Sequence, residues 1–153
     1  MDVGKIVEDA DLRDRTGVFA DRMDAGRRLG GLMRSLTGLE RAVVFAIPSG
    51  GVPIGMEVAQ ALSCQMRVAV VRKVHVPWNP EAGFGSVAWD GRVIIDEELA
   101  ARLGIGKEEI QHEVESTRRN VQERMEKFGG DNPDLAIEGK DAVITDDGLA
   151  AGY

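Results

Sequence analysis

The stretch RAVVFAIPSGGVPIGMEVAQALSCQMRVAVVRKV, residues 41–74, decides the fold class of this chain. Residues 41–48 form a short, unbroken apolar run that ends in proline, serine and two glycines, which is typical of a buried strand in a parallel sheet. Residues 52–64 have the pattern of a helix, with Pro53 in the first turn, where its missing N–H is harmless. Residues 67–74 form a second apolar strand. A strand, a helix and a strand within about 30 residues predict a βαβ unit with a right-handed crossover.

The segments on either side continue this alternation of strands and helices. Apolar residues at helical spacing predict one helix near the N-terminus and two after the second strand. An apolar run at 142–145 predicts another strand, buried on both faces, that leads into two aspartates. Proline, glycine and tryptophan after residue 74 predict a long excursion with a hairpin through 85–95. We therefore expect one α/β domain over 1–153, with a Rossmann-like, mostly parallel sheet flanked by helices. Its expected parts, in chain order, are a helix at 19–36, a core at 41–74, a flexible loop or hairpin at 75–95, helices at 96–130, and a strand and loop at 141–153.

Composition and charge restrict the classes of partner. The chain has 153 residues and a formal net charge of −7, which argues against an extended nucleic-acid partner because such a partner needs a basic face. No apolar run approaches the roughly 20 residues that span a bilayer, and the acidic, polar N-terminus does not resemble a signal peptide. The single cysteine, Cys64, excludes an internal disulfide and is expected to be a buried, inert thiol. We expect a cytoplasmic protein.

Three loops leave the carboxyl ends of the predicted strands, where ligands bind in open α/β sheets. The first is PSGGVP, residues 48–53, in which Ser49, Gly50 and Gly51 open a helix. Glycines let the backbone approach an anion and a helix N-terminus offers free N–H groups, although a plain tight turn would have the same sequence. No P-loop sequence is present, and GFGSVA at 83–88 does not join a strand to a helix as a dinucleotide fingerprint would.

The other two loops contribute charged residues. Arg72 and Lys73 end the second predicted strand, where paired cations suit a polyphosphate; a solvated strand end is the alternative. Asp146 and Asp147 are costly to bring together after a buried strand, so they indicate a site for ribose hydroxyls or for Mg²⁺. The small residues after them, at 148–152, could surround a phosphate with backbone N–H groups. A solvent-exposed turn with a helix-capping aspartate is the alternative.

The last of these segments, AVITDDGLAAG, resembles the phosphoribosyl diphosphate (PRPP) signature of type I phosphoribosyltransferases. That signature is an apolar strand, two acidic residues and a loop of small residues. FADRMDAGRRLGGLM, IPSGGVPIGMEVAQAL, VVRKVHVPWNPEAGFGSV and DEELAARLGI also resemble a prokaryotic branch of this family. The likeness extends from about residue 19 to residue 152. Two departures are Ala151, where the family usually has threonine, and Tyr153, where glycine is usual.

The resemblance implies a role for each loop. Asp146 and Asp147 would hold the ribose 2′- and 3′-hydroxyls. The 5′-phosphate would lie in the loop of Gly148, Leu149, Ala150, Ala151 and Gly152. Ser49, Gly50 and Gly51 would form the diphosphate loop, where the family often has unusual peptide geometry, and Arg72 and Lys73 would meet the diphosphate. Residues 75–89 would match the loop that closes over the reaction. Mg²⁺ would arrive with PRPP, so Asp146 and Asp147 would meet the metal mainly through the substrate.

The implied activity is transfer of phosphoribosyl from PRPP to a nucleobase or related nitrogen acceptor, in nucleotide metabolism such as purine salvage, with release of diphosphate. The alternatives are a non-catalytic regulatory protein that binds PRPP or a nucleotide, and an inactive fragment, because the family continues beyond the loop at which this sequence stops. The acceptor base is not indicated by the sequence. We also expect a homodimer or a higher homo-oligomer, since an incomplete sheet would expose an edge.

Overall fold

The computed structural model describes residues 6–36, 38–128 and 137–148. Strands and helices alternate along the chain, as expected for an α/β protein. A short 3-10 helix at Ala10–Leu12 precedes them. The elements are α1 (Arg22–Met33), β1 (Ala42–Ala46), α2 (Gly51–Leu62), β2 (Gln65–Val68), β3 (Val71–Val76), β4 (Asn79–Ala88), β5 (Val93–Ile95), α3 (Glu97–Arg102), α4 (Lys107–Lys127) and β6 (Asp141–Thr145).

The predicted βαβ unit supplies two of the three strands of a parallel sheet with the order β2–β1–β6, in which β1 is central. Val44 in β1 lies opposite Met66 on one side and Val143 on the other. α2 connects β1 to β2. The strand predicted before the two aspartates is β6, and its pairing with β1 brings the carboxyl ends of these two strands together. The predicted fold class, a parallel sheet flanked by helices, is confirmed.

Helices α1 and α2 pack tightly against each other through glycines. A Cβ added to Gly26 would lie 2.9 Å from the Ile54 Cα, and one added to Gly30 would lie 2.6 Å from the Ala61 Cβ. Such contacts are possible only because these positions of α1 carry no side chain. The apolar core beneath is formed by Ala42, Val44, Ile54, Val58, Ala59 and Val143.

The segment predicted as one strand, residues 67–74, is two strands in two sheets. β2 ends at Val68, and the N–H of Ala69 donates to the Ala46 carbonyl (2.9 Å), which keeps the chain beside β1 for one more residue. Both Ala69 and Val70 are buried. β3 then begins an antiparallel sheet with the order β3–β4–β5. The prediction failed because the link is as apolar as the strands and contains no turn residue.

The excursion after β3 is largely regular structure. β3 runs to Val76, β4 begins at Asn79, and the predicted hairpin near 85–95 is confirmed by the pairing of β4 with β5. Phe84 and Val87 in β4 are each 1% exposed. They belong to a second core that includes Val74, Ala100, Ile105 and Val121. Residues 75–89 are therefore mostly paired strand, and only residues 77–78 lie between β3 and β4. That this segment closes over the reaction stays a prediction.

The two sheets meet at Trp89, which follows β4. Its ring stacks on Phe45 of β1, with 6.2 Å between the ring centroids. The Arg67 guanidinium of β2 lies 5.5 Å from the centre of the Trp89 ring. Phe45 and Arg67 are register partners across β1 and β2, so this contact covers the face of the parallel sheet opposite α2.

β6 is not buried on both faces as predicted. Val143 and Thr145 are buried, whereas Ala142 and Ile144 are exposed, and Ile144 is 70% exposed. The alternation means that β6 is covered on the α2 side only. Within the described ranges, no strand pairs with the edge of β6 opposite β1.

None of the helices in the described part of the chain is both long enough and apolar enough to cross a membrane.

Candidate functional site

The loop after β1 and the loop after β6 are joined by hydrogen bonds. The N–H of Ile47 donates to the Thr145 carbonyl (2.9 Å), and the N–H of Gly51 donates to the Ile47 carbonyl (2.9 Å). The buried Thr145 hydroxyl donates to the Gly51 carbonyl (3.2 Å). The first turn of α2 is thereby fixed against the end of β6, so two of the three loops predicted to converge do so.

The turn into α2 has an unusual backbone. The peptide bond between Pro48 and Ser49 is cis, at the position where the resemblance implied unusual peptide geometry. α2 then begins at Gly51, and Gly50, which precedes it, has no side chain to cap the helix. The N–H groups of Gly51 and Val52 donate to the Ile47 and Ser49 carbonyls, and Pro53 has no N–H. The N–H groups of Ser49 and Gly50, just before the helix, are therefore the ones at this edge of the sheet that have no hydrogen-bond partner in the described part of the chain.

Gly50 and Gly51 are required by the aspartates, which approach them closely. A Cβ added to Gly50 would overlap the carboxylate of Asp147. A Cβ added to Gly51 would overlap the Thr145 carbonyl oxygen and lie 3.0 Å from the Asp146 Cα. We predicted these glycines as a means of approaching an anion; in the structure they also allow the loop after β6 to pack onto α2.

Asp147 forms a two-donor ion pair with Arg22 at the start of α1. Arg22 Nε and Nη2 both donate to Asp147 Oδ2, at 2.9 and 2.7 Å. The hydrogen bond from Arg22 holds the pKa of the Asp147 carboxyl below its usual value, with smaller contributions from the charge of Arg22 and from Asp146. The contact with Arg22 thus favours the ionised, hydrogen-bond-accepting form of the carboxylate.

The backbone fixes the second aspartate. The N–H of Asp147 donates to Asp146 Oδ1 (2.8 Å). Each carboxylate thus has one oxygen engaged by the protein: Oδ1 of Asp146 and Oδ2 of Asp147. The other oxygen of each has no hydrogen-bond partner in the described part of the chain. Two open carboxylate oxygens on adjacent residues can accept hydrogen bonds from two neighbouring hydroxyl groups.

Sequence reasoning missed Arg22. It lies within FADRMDAGRRLGGLM, which carried part of the family resemblance, but no role was assigned to it. The residue just before it, Asp21, caps α1 by accepting from the Asp24 N–H (2.7 Å), so the helix start fixes the backbone from which Arg22 extends. The partner of Arg22, Asp147, lies 125 positions away in the sequence, and no local sequence pattern predicts such a pair.

Arg72 and Lys73 are not at the end of a parallel strand as predicted. They are the second and third residues of β3 in the antiparallel sheet. Lys73 Nζ donates to the Glu81 carbonyl (2.5 Å), and its stem lies over Gly83. Burial, and the charge of Arg124 on α4, lower the pKa of Arg72. No hydrogen bond or ion pair in the described part of the chain joins either cation to the loop at residues 49–51 or to the aspartates.

The rest of the predicted site is only partly described. Gly148 follows the aspartates, whereas Leu149, Ala150, Ala151 and Gly152 lie outside the described residues. Across residues 6–36, 38–128 and 137–148, no three His, Cys, Asp or Glu side chains form a group that could hold a metal ion. Asp146 and Asp147 are only two carboxylates, so this donor set fits a Mg²⁺ that arrives on a phosphorylated substrate better than a resident ion.

The prediction of a buried, inert thiol at Cys64 is met in part, because the residue is half-buried. It is a free thiol at the end of the α2 segment, and burial raises its pKa. A thiol with a raised pKa stays protonated at neutral pH and is a poor nucleophile.

No family model matches the chain. Two proteins of Mycobacterium tuberculosis, from strains CDC 1551 / Oshkosh and ATCC 25618 / H37Rv, are each 35% identical to it over 135 residues, and both are named "Putative phosphoribosyl transferase". Each match covers 88% of this chain and 30% of the relative, so the chain spans less than a third of the length of these relatives. The crystal structure of TT1426 from Thermus thermophilus superposes with a TM-score of 0.70 and 33% identity, covering 84% of this chain and 61% of that one.

The fold is therefore an α/β fold with a parallel sheet, shared with a solved structure at 33% identity. The two Mycobacterium relatives indicate the family. Their names, and their similarity over most of this chain, support its assignment to the phosphoribosyltransferases. The resemblance drawn from the sequence motifs is confirmed.

Proposed function

We propose that this chain binds PRPP and belongs to an enzyme that transfers the phosphoribosyl group to a nitrogen of a nucleobase or a related acceptor. The observation that carries the proposal is the junction of the β1 and β6 loops. There, Gly50 and Gly51, in the same turn as Ser49, lie against Asp147 and Asp146 at the carboxyl edge of the parallel sheet. The names of the Mycobacterium relatives support the general reaction.

In this proposal the aspartates recognise the ribose. The open oxygens, Oδ2 of Asp146 and Oδ1 of Asp147, accept hydrogen bonds from the 2′- and 3′-hydroxyls. A hydrogen bond to an ionised acceptor is stronger than one to a neutral group. The 5′-phosphate lies in the loop that follows, residues 148–152, because four of these five residues are glycine or alanine, and backbone N–H groups of such sequences can surround an anion.

The turn at Ser49–Gly51 receives the diphosphate. The backbone N–H groups of Ser49 and Gly50, together with the positive end of the α2 dipole, favour a negative charge. The reaction breaks the bond between ribose C1 and the diphosphate oxygen and forms a bond from C1 to the acceptor nitrogen. Positive charge develops on the sugar while the diphosphate leaves with the bonding electrons. The site therefore contributes mainly by positioning the partners and by stabilising the leaving group.

Mg²⁺ belongs to the substrate in this scheme, bound to PRPP, and it neutralises part of the diphosphate charge. Arg72 and Lys73 keep the role implied by the resemblance, as further cations for the leaving group. Their positions in β3 do not by themselves support that role, since Lys73 is engaged by the Glu81 carbonyl.

The placement of these two cations favours one alternative, a protein that binds PRPP or a nucleotide without catalysing transfer. A sugar site without cations for the leaving group would bind the ligand but accelerate its departure poorly. Both functions use the same aspartates and the same glycine turn, so they differ in turnover and not in the ligand bound.

A screen for diphosphate release tests the proposal. The 153-residue chain is incubated with Mg–PRPP and, in turn, with adenine, guanine, hypoxanthine, xanthine, uracil and orotate, and diphosphate is measured. Release that depends on one base supports the transferase and identifies the acceptor. Calorimetric binding of Mg–PRPP without release for any base favours the regulatory alternative. The absence of binding contradicts both.

A further inference from the structure

We propose that Arg22 is a positioning residue for the sugar site: it fixes the Asp147 carboxylate so that one oxygen, Oδ1, is left open for a ribose hydroxyl. The proposal rests on the proposed function, since it assigns a role within the same site. Its basis is the two-donor contact of the Arg22 guanidinium with Asp147 Oδ2.

The geometry leaves little freedom for Asp147. Its carboxylate lies directly over Gly50, and both donors of Arg22 meet the same oxygen. Its own N–H is engaged by Asp146. Rotation of the carboxylate would give up the Arg22 contacts. Two donors held in one guanidinium plane fix the position of the oxygen they share in a way that the single nitrogen of an ammonium group does not.

Stability does not explain the contact, because an ion pair this exposed contributes little to folding. The side chains of Arg22 and Asp147 are 59% and 39% exposed, and exposed pairs are weak and screened by salt. Removing the Arg22 charge should therefore leave the fold intact while releasing the Asp147 carboxylate. A change in ligand affinity would then report the orientation of the carboxylate.

The test compares two ligands that differ by the ribose 5-phosphate group. Mg–PRPP engages the aspartates and the glycine turn, whereas Mg–diphosphate engages the glycine turn alone. We expect Arg22→Gln to weaken Mg–PRPP binding by roughly tenfold, the effect of about one charged hydrogen bond, and to leave Mg–diphosphate binding unchanged. Arg22→Lys keeps the positive charge but loses the two-nitrogen contact, so its affinity for Mg–PRPP should lie between those of the wild type and Arg22→Gln.

Arg27→Gln is the matched control. Arg27 also extends from α1 and pairs with a carboxylate of another element, Glu57 of α2 (3.4 Å). Its loss should change the affinity for neither ligand. Calorimetry on the wild type and the three variants gives the comparison, with thermal unfolding as a check on the fold.

Two results would overturn the inference: wild-type affinity of Arg22→Gln for Mg–PRPP, or equal weakening of both ligands, which indicates a general structural defect. If the wild-type chain binds Mg–diphosphate and Mg–PRPP equally tightly, the sugar site itself is refuted and the role of Arg22 with it. Binding of Mg–PRPP by the wild type and by Arg22→Gln alike refutes only the role of Arg22.

Discussion

At the scale of single residues, the candidate site is arranged around Asp147. Gly50 lies beneath its carboxylate and Arg22 holds one oxygen. The sequence predicted that the aspartates and the glycine turn would meet, because the carboxyl ends of neighbouring parallel strands lie together. It did not predict Arg22, since an exposed polar residue at a helix start follows no apolar period and its partner is distant in sequence.

Asp147→Asn tests the ribose site directly. The amide keeps the shape of the side chain but loses the charge, and it can leave an NH₂ group facing a hydroxyl that needs an acceptor. We expect the affinity for Mg–PRPP to fall by about tenfold, as for the loss of a hydrogen bond to a charged acceptor. Isothermal titration calorimetry measures it.

Asp90→Asn is the control, because Asp90 makes a comparable ion pair with Arg92 in the turn between β4 and β5. Its affinity for Mg–PRPP should equal that of the wild type. An unchanged dissociation constant for Asp147→Asn would refute the assignment of this carboxylate to the ribose.

Gly50→Ala tests the approach of the two loops. Gly50 has φ −68° and ψ −35°, which alanine adopts readily, so the backbone does not resist the change. The new methyl group would occupy the place of the Asp147 carboxylate and push it away. We expect Mg–PRPP affinity to fall by at least as much as in Asp147→Asn, while the far-ultraviolet circular dichroism spectrum is retained.

Gly31→Ala provides the comparison, since a Cβ at Gly31 meets nothing within 4 Å. It should bind Mg–PRPP with wild-type affinity. Equal affinities for the two alanine variants would show that the position of Asp147 over Gly50 does not matter for binding.

At the scale of elements, the predicted helices and the first strand match the structure closely. Helical spacing predicted 19–36 and 52–64 where α1 and α2 lie, and the apolar run at 41–48 contains β1. The sequence patterns did not predict the strands correctly where pairing between distant segments determines the structure. Ala69 and Val70 are buried like strand residues, although the chain changes sheets there. The glycines and prolines of 75–89 suggested a loop, but Gly83 and Gly85 allow close contacts within the β3–β4–β5 sheet.

The contact between α1 and α2 gives a second matched pair of variants. A Cβ at Gly30 would lie 2.6 Å from the Ala61 Cβ, so Gly30→Ala must push the helices apart. We expect a loss of about 1–3 kcal/mol in the free energy of unfolding, the usual cost of overpacking. Gly31→Ala, one position along, should instead gain about 0.5–1 kcal/mol, because alanine loses less backbone entropy in a helix.

Urea denaturation of both variants measures the difference. Gly31→Ala changes the same helix by the same methyl group, so it separates crowding from helix propensity. A Gly30→Ala variant as stable as Gly31→Ala would mean that α1 and α2 are not in close contact at this point.

At the scale of the whole molecule, the described residues form two apolar cores. One lies between the parallel sheet and helices α1 and α2, and the other joins β3–β5 to α3 and α4. Trp89 contacts Phe45 and Arg67 where the two sheets meet. The sugar site lies on the first part, whereas Arg72 and Lys73 lie on the second. If these cations serve the leaving group, the relative position of the two sheets affects the rate of transfer more than the affinity for PRPP.

The unpaired edge and the exposed face of β6 support a last prediction, which concerns self-association of the chain. Ile144 is 70% exposed on the face of the sheet opposite α2, and in the described ranges no strand pairs with the edge of β6 opposite β1. An unpaired edge that carries exposed apolar side chains favours pairing with another chain. We therefore expect the chain to sediment as a homodimer or larger species at micromolar concentration, and Ile144→Glu to shift it toward a 16.5 kDa monomer.

Ile94→Glu is the matched control for analytical ultracentrifugation. Ile94 is also 70% exposed, but it lies in β5, an edge strand of only three residues that offers few groups for pairing. The control should associate like the wild type, because a short edge is a poor template for another chain. A wild-type monomer, or equal effects of the two glutamates, would show that the β6 edge does not mediate association. A dimer abolished only by Ile144→Glu would place the interface beside Asp146 and Asp147. Because the ligand site and the interface would then be neighbours, the binding of Mg–PRPP and the self-association of the chain would be measured in the same samples.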